Sequence, residues 1–97
     1  FFLYFPMCPP HSPIAPADDM KGKGGISGKE SRYGDWVYQG DHMLGQILDA
    51  LKRTGQTQDT LIIATGDNGA AKRPYPPLRD AKSSIYEGGH REPFVGR

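Results

Sequence analysis

Apolar positions along this chain gather in a few short groups separated by polar stretches. Phe1-Phe2-Leu3-Tyr4-Phe5 is an aromatic run closed by Pro6, the pattern of a buried strand. Residues 7–28 mix Pro, Gly, Lys and Asp without any period, which predicts a long loop, and long loops are usually functional or mobile. Tyr33, Trp36, Val37, Gly40, Leu44, Ile47, Leu48 and Leu51 then recur at spacings of three and four. That is one apolar stripe of an α-helix. Ser27-Gly28-Lys29-Glu30 ahead of it fits a capping box, in which the Ser and Glu side chains satisfy free helix N–H groups. Lys52 and Arg53 suit the negative end of the helix dipole, and Gly55 is a natural stop.

Residues 60–65, Thr-Leu-Ile-Ile-Ala-Thr, are continuous rather than alternating, as expected for a strand covered on both faces. Strand, helix, strand predicts a right-handed βαβ unit in a parallel sheet, and so an α/β fold. Residues 70–89 read as loop again, with Pro74, Pro76, Pro77, Gly88 and Gly89, before an apolar run opens at Phe94-Val95.

Composition agrees with a loop-rich chain: 13 Gly and 9 Pro in 97 residues are nearly twice the usual share of about 12%. Twelve basic against 11 acidic residues leave a net charge of +1. No charge excess points to nucleic acid or an anionic membrane surface, and no apolar run approaches the ~18 residues of a membrane span. A single cysteine, Cys8, excludes an internal disulfide framework and a Cys-based zinc site. Phe1–Phe5 has no basic flank and does not read as a signal peptide. The chain opens without Met inside one apolar run and stops inside another, whereas domain boundaries normally fall in linkers. Residues 1–97 are therefore expected to be a fragment of one domain.

The most informative pair is Asp67-Asn68, directly after the second strand. Ligands of open α/β sheets bind beyond the carboxyl ends of the strands, and a carboxylate beside an amide carbonyl offers hard oxygens suited to Ca²⁺ or Mg²⁺. Gly66 and Gly69 permit a tight turn around a ligand; the competing reading is a plain D-N-G turn. His11, in Pro9-Pro10-His11-Ser12-Pro13, lies just past the first strand. An imidazole there can hydrogen-bond an anion or move a proton, or be a solvated loop histidine. Lys82, in a loop bounded by Gly88-Gly89, can reach an oxyanion as a point charge, or be solvated surface. Cys8 reads as a packed or incidental thiol rather than a nucleophile. Asp41, at the edge of the helix stripe, is a candidate for half-burial, and Trp36 for the core.

Taken together, these stretches resemble the later part of the catalytic domain of formylglycine-dependent, arylsulfatase-like sulfatases. The resemblance rests on Phe1–Phe5 followed by His11-Ser12-Pro13, the helix with Asp41, Leu61 to Gly69, and Lys82 followed by Tyr86-Glu87-Gly88-Gly89-His90-Arg91-Glu92-Pro93-Phe94. It implies an alkaline-phosphatase-like α/β fold and hydrolysis of sulfate esters on a sulfated small molecule or glycan. It further implies a divalent ion, usually Ca²⁺, held in part by Asp67 and Asn68, with Lys82 and His11 on the sulfate. A cation, a Lys and a His would together stabilise charge as the S–O bond breaks.

The family's nucleophile is a formylglycine made from cysteine in a Cys-x-Pro-x-Arg or Cys-x-Ala-x-Arg motif. Cys8-Pro9-Pro10-His11-Ser12 has Ser12 where Arg is required, so the nucleophile and the other metal-binding aspartates are expected upstream of Phe1. Substrate choice is expected from variable loops such as residues 72–79. The resemblance suggests an exported (periplasmic or secreted) or lysosomal enzyme. The alternatives are a phosphodiesterase or phosphonate hydrolase of the same superfamily, or a non-catalytic metal-binding module.

Overall fold

The apolar stripe becomes one long helix, α1 (Ser31–Arg53), 23 residues in length. Its start differs from the expected capping box. A 3-10 turn, Gly28–Glu30, leads into it, and Ser27 makes no side-chain cap bond. The backbone satisfies that end instead, since the Ser31 N–H donates to the Gly28 carbonyl in the tighter i→i+3 pattern common at helix ends. The stop is as expected. Gly55 takes φ +70°, its N–H donates to the Lys52 carbonyl at 3.2 Å, and the Gln56 N–H donates to the Leu51 carbonyl at 2.9 Å. That pair of bonds is a Schellman cap, with glycine where a side chain would be strained.

In this computed structural model residues 1–71 and 76–97 are described; residues 72–75 of the expected substrate-selecting stretch, with Pro74, lie outside them. The chain divides into two compact units, Phe1–Gln58 and Asp59–Arg97. In the first, the core is small: Met20, Trp36 and Leu51 are its buried apolar side chains among the described residues. The predicted stripe is thus only partly buried, and Val37 and Leu48 stay exposed. The half of α1 nearer its N-terminus holds most of the burial, through Gly34, Asp35, Trp36 and Gly40.

The second unit contains β1 (Ile63–Thr65), the short helix α2 (Glu87–His90) and β2 (Phe94–Gly96). β1 and β2 form a two-stranded antiparallel ladder that pairs Ile63 with Gly96, Ala64 with Val95 and Thr65 with Phe94. Reciprocal backbone bonds between Ile62 and Arg97, at 2.9 and 3.0 Å, extend it by one pair.

Helix and strands are both present, but the pairing differs from the expected parallel one. Phe1–Phe5 forms no strand, and Phe1 and Phe2 are 85% and 90% exposed. A strand needs a neighbour to take its N–H and C=O groups; among the described residues this run has none, whereas the strand after α1 finds its partner downstream. Nor is the expected strand covered on both faces, because Leu61, just before β1, and Ile63 within it are exposed, and among the described residues the sheet has two strands. Helix α2 begins within the stretch expected to be loop, residues 70–89, and ends just past it. Its Gly88-Gly89 pair disfavours a helix by propensity, and packing overrides that preference.

Candidate functional site

The turn that follows β1 is built almost entirely from backbone. The Gly69 N–H donates to the Gly89 carbonyl at 2.9 Å, the Gly88 N–H to the Arg79 carbonyl at 2.8 Å, and the Lys82 N–H to the Ala70 carbonyl at 3.3 Å. A Cβ placed on Gly69 would run into the Gly88 carbonyl, and one on Gly88 into the Asp80 carbonyl. Three backbone segments therefore pass in direct contact where only glycine fits. The D-N-G sequence bends the chain after β1 and is fastened to the segment that carries Lys82.

Within that frame Asp67 is exposed and Asn68 half-buried. Asp67 makes no hydrogen bond or ion pair among the described residues. Asn68 turns its amide nitrogen to the Gly69 carbonyl at 3.5 Å, which leaves Oδ1 as the donor oxygen it can offer a cation. The Glu92 carboxylate lies beside Gly66, with Oε2 2.5 Å from the position a Cβ would take there. Among the described residues no three His, Cys, Asp or Glu side chains converge. Ca²⁺ takes six to eight oxygens, so Asp67 and Asn68 fit part of a coordination sphere.

Lys82 is half-buried in a strained turn rather than on open surface. Asp80 and Ser83, on either side of it, hold φ of +66° and +74°, a region non-glycine residues seldom enter and which clusters at functional sites. The Ser84 N–H closes the turn on the Ala81 carbonyl at 3.2 Å. Asp80 Oδ1 accepts from the Ala81 N–H at 2.9 Å, the local side-chain bond that lets Asp tolerate this conformation. Beside it, the Arg79 guanidinium stacks 3.4 Å over the Tyr86 ring.

His11 belongs to the first unit. Its N–H donates to the Cys8 carbonyl at 3.0 Å, and its ring Nδ1 lies 2.7 Å from the Ser12 carbonyl. A carbonyl can only accept, so Nδ1 carries the proton. The Trp36 indole N–H donates to the His11 carbonyl at 2.8 Å. Cys8, His11, Ser12, Pro13, Ala15 and Trp36 line a cleft of about 310 Å³. Cys8 is an exposed free thiol, so of the two expected readings, packed or incidental, the packed one does not hold.

The structure thus gathers Asp67, Asn68 and Lys82 in the second unit and holds His11 in the first. Asp41, expected half-buried, is exposed. The buried carboxylate is Asp35, which accepts from the Gly22 N–H at 2.9 Å and the Gly24 N–H at 2.8 Å. These bonds, Gly22 foremost, hold its carboxyl below the ordinary range. Sequence reasoning missed Asp35, Gln39 and the role of Trp36. One signal was available, since a buried indole N–H usually has a partner.

The sulfatase family model matches residues 1–97. N-acetylgalactosamine-6-sulfatase of Rattus norvegicus is 33% identical over 102 residues, 98% of this chain. N-acetylgalactosamine-6-O-sulfatase of Bacteroides thetaiotaomicron is 33% identical over 112 residues, all of this chain. The chain spans only 19% and 21% of the length of these two relatives. Among solved structures, that of Ps i-CgsB in complex with k-i-k-neocarrahexaose superposes with a TM-score of 0.80 at 32% identity, over 91% of this chain and 21% of that one. The expected α/β class stands on that likeness, and none of these findings favours a phosphodiesterase.

Proposed function

Because this chain belongs to the sulfatase family, we propose that it forms one part of the catalytic domain of a sulfuric ester hydrolase acting on a sulfated glycan. The observation that carries the reading is the Asp67-Asn68 turn, tied by glycine-backbone bonds to the segment holding Lys82. A metal-ligand pair and an oxyanion-binding cation need that fixed spacing; a plain turn does not. The names of the two N-acetylgalactosamine-6-sulfatases and the oligosaccharide bound by the structural neighbour support a glycan as the substrate class.

In the reaction, water adds to a sulfate ester, the S–O bond to the alcohol breaks, and the leaving oxygen takes a proton. Asp67 and Asn68 would hold a divalent ion through hard oxygens that suit Ca²⁺ or Mg²⁺, Ca²⁺ by family resemblance, and that ion would supply charge stabilisation on the sulfate oxygens. Lys82 adds a fixed positive charge for those oxygens. His11 keeps its Nδ1 proton on the Ser12 carbonyl, so a proton for the leaving oxygen is delivered from Nε2 of the imidazolium. The attacking group, a formylglycine by family resemblance, belongs to a part of the domain outside residues 1–97. An exported or lysosomal location is part of the same proposal.

The test is release of sulfate from an N-acetylgalactosamine 6-sulfate oligosaccharide by the full-length protein, with and without a chelator. Release that the chelator stops, and that Ca²⁺ restores, supports the reading. Turnover of phosphodiesters with no sulfate release would overturn it.

A further inference from the structure

The face of α1 that carries Trp36, Gln39 and Gly40 reaches into the loop that carries His11. Trp36 donates its indole N–H to the His11 carbonyl at 2.8 Å. One turn on, Gln39 Oε1 accepts from the Ala17 N–H at 2.8 Å. Gly40 lies under Pro9, whose Cβ is 3.2 Å from the position a Cβ would take there. Spacings of three and four put these residues on one helix face, and they hold the loop before, at and after His11. Trp36 is buried and His11 exposed, so Trp36 is the anchor and the loop is the part it holds.

We propose that Trp36 is a positioning residue for His11. Its N–H fixes the His11 carbonyl, while the neighbouring Ser12 carbonyl fixes Nδ1 at 2.7 Å; together they set where Nε2 stands. A carbonyl and a ring of one residue, tied to two different acceptor and donor groups, leave that imidazole little freedom to rotate. A misplacement of about 1 Å in a reacting group is enough to cost a large factor in rate. The inference rests on the reading of His11 as the group that protonates the leaving oxygen.

The experiment uses the full-length enzyme and a series of aryl sulfates with progressively poorer leaving groups. His11→Ala serves as the reference and Trp36→Phe removes the donor. Replacement of Trp36 by benzothienylalanine removes the N–H while keeping ring size, should Trp36→Phe not fold. For the poorest leaving group, loss of one hydrogen bond is expected to lower kcat about ten-fold, with KM little changed and a smaller loss for good leaving groups. In the His11→Ala background the Trp36 change should add nothing, as coupled residues do not act additively. An equal factor across all leaving groups, or full additivity with His11→Ala, overturns the positioning role alone. A His11→Ala enzyme with an unaltered leaving-group dependence overturns the reading of His11 and the proposal with it.

Discussion

The loop around His11 and the turn at Asp67 are held by opposite means. Around His11, side chains from α1 do the holding: Trp36, Gln39 and Asp35 each bind backbone groups of residues far away in sequence. At Asp67 the backbone holds itself, through Gly69, Gly88 and the Lys82 N–H, and the side chains of Asp67 and Lys82 take no part in the fastening. The difference separates fold from chemistry. In the second region functional side chains can be removed without loosening the frame, whereas in the first a change to an anchor moves the loop.

The sharpest test of that contrast is Lys82→Ala in the full-length protein. It should lower kcat/KM about 10²–10³-fold, the usual loss for one oxyanion contact, at every working pH and with thermal stability unchanged. Turnover at the wild-type rate would remove Lys82 from the site. A large fall in melting temperature would show that its side chain is structural, and the contrast would fail.

Gly69→Ala tests the other half. The added methyl has the Gly88 carbonyl in its way, and forcing atoms into a packed site costs about 1–3 kcal/mol. This variant should melt earlier and also bind Ca²⁺ more weakly, because the Asp67-Asn68 turn must shift to admit it. Calorimetric titration with Ca²⁺ beside a thermal melt reads both. An unchanged melt would mean that the backbone contact is not what sets the turn.

How far each region could be read in the sequence follows from the same distinction. The helix was legible because its apolar period is local, and its end because Gly55 is a local signal. Asp67, Asn68, Lys82 and His11 were singled out by residue type, position after a strand and family resemblance. What stayed hidden is what links distant residues. The antiparallel partner of β1 lies some thirty residues on, across four prolines and four glycines, and nothing in an unalternating apolar run states its direction. Asp35 was missed for Asp41 because a carboxylate is buried where loop N–H groups need it, and the position of loop 22–24 is not written in the period of α1. Helix α2 was missed because the glycines that packing requires are those that propensity rejects.

Asp35 gives a pH-dependent version of the contrast. Its carboxylate is held below its ordinary pKa by the Gly22 and then the Gly24 N–H bonds, against the opposing effect of burial. A depressed carboxylate stabilises the fold above the unfolded value of about 3.9, and that contribution is lost as pH falls through the lower folded value. Melting temperature followed from pH 7 down to pH 3 should therefore fall more steeply in the wild type than in Asp35→Asn, which starts lower and lacks the titration. Parallel curves would show that loop 22–24 does not depend on the charge.

The smallest expected effect compares two glycines of α1. Gly45 has nothing within 4 Å of the position a Cβ would occupy. Gly45→Ala should then show the bare backbone gain, about 0.5–1 kcal/mol of added stability, since glycine in a helix interior carries more entropy to lose. At Gly40 the same methyl would meet Pro9 Cβ at 3.2 Å, closer than ordinary van der Waals contact, and Pro9 precedes His11 in the loop that α1 anchors. Gly40→Ala should forfeit that gain, and its cost should appear in activity, with the poor leaving groups that depend on His11 affected most. Denaturant midpoints and the aryl sulfate series, measured on both variants of the full-length protein, decide it. If Gly40→Ala stabilises as much as Gly45→Ala and leaves the series unchanged, the loop yields freely to α1, and the helix is not what sets the position of His11.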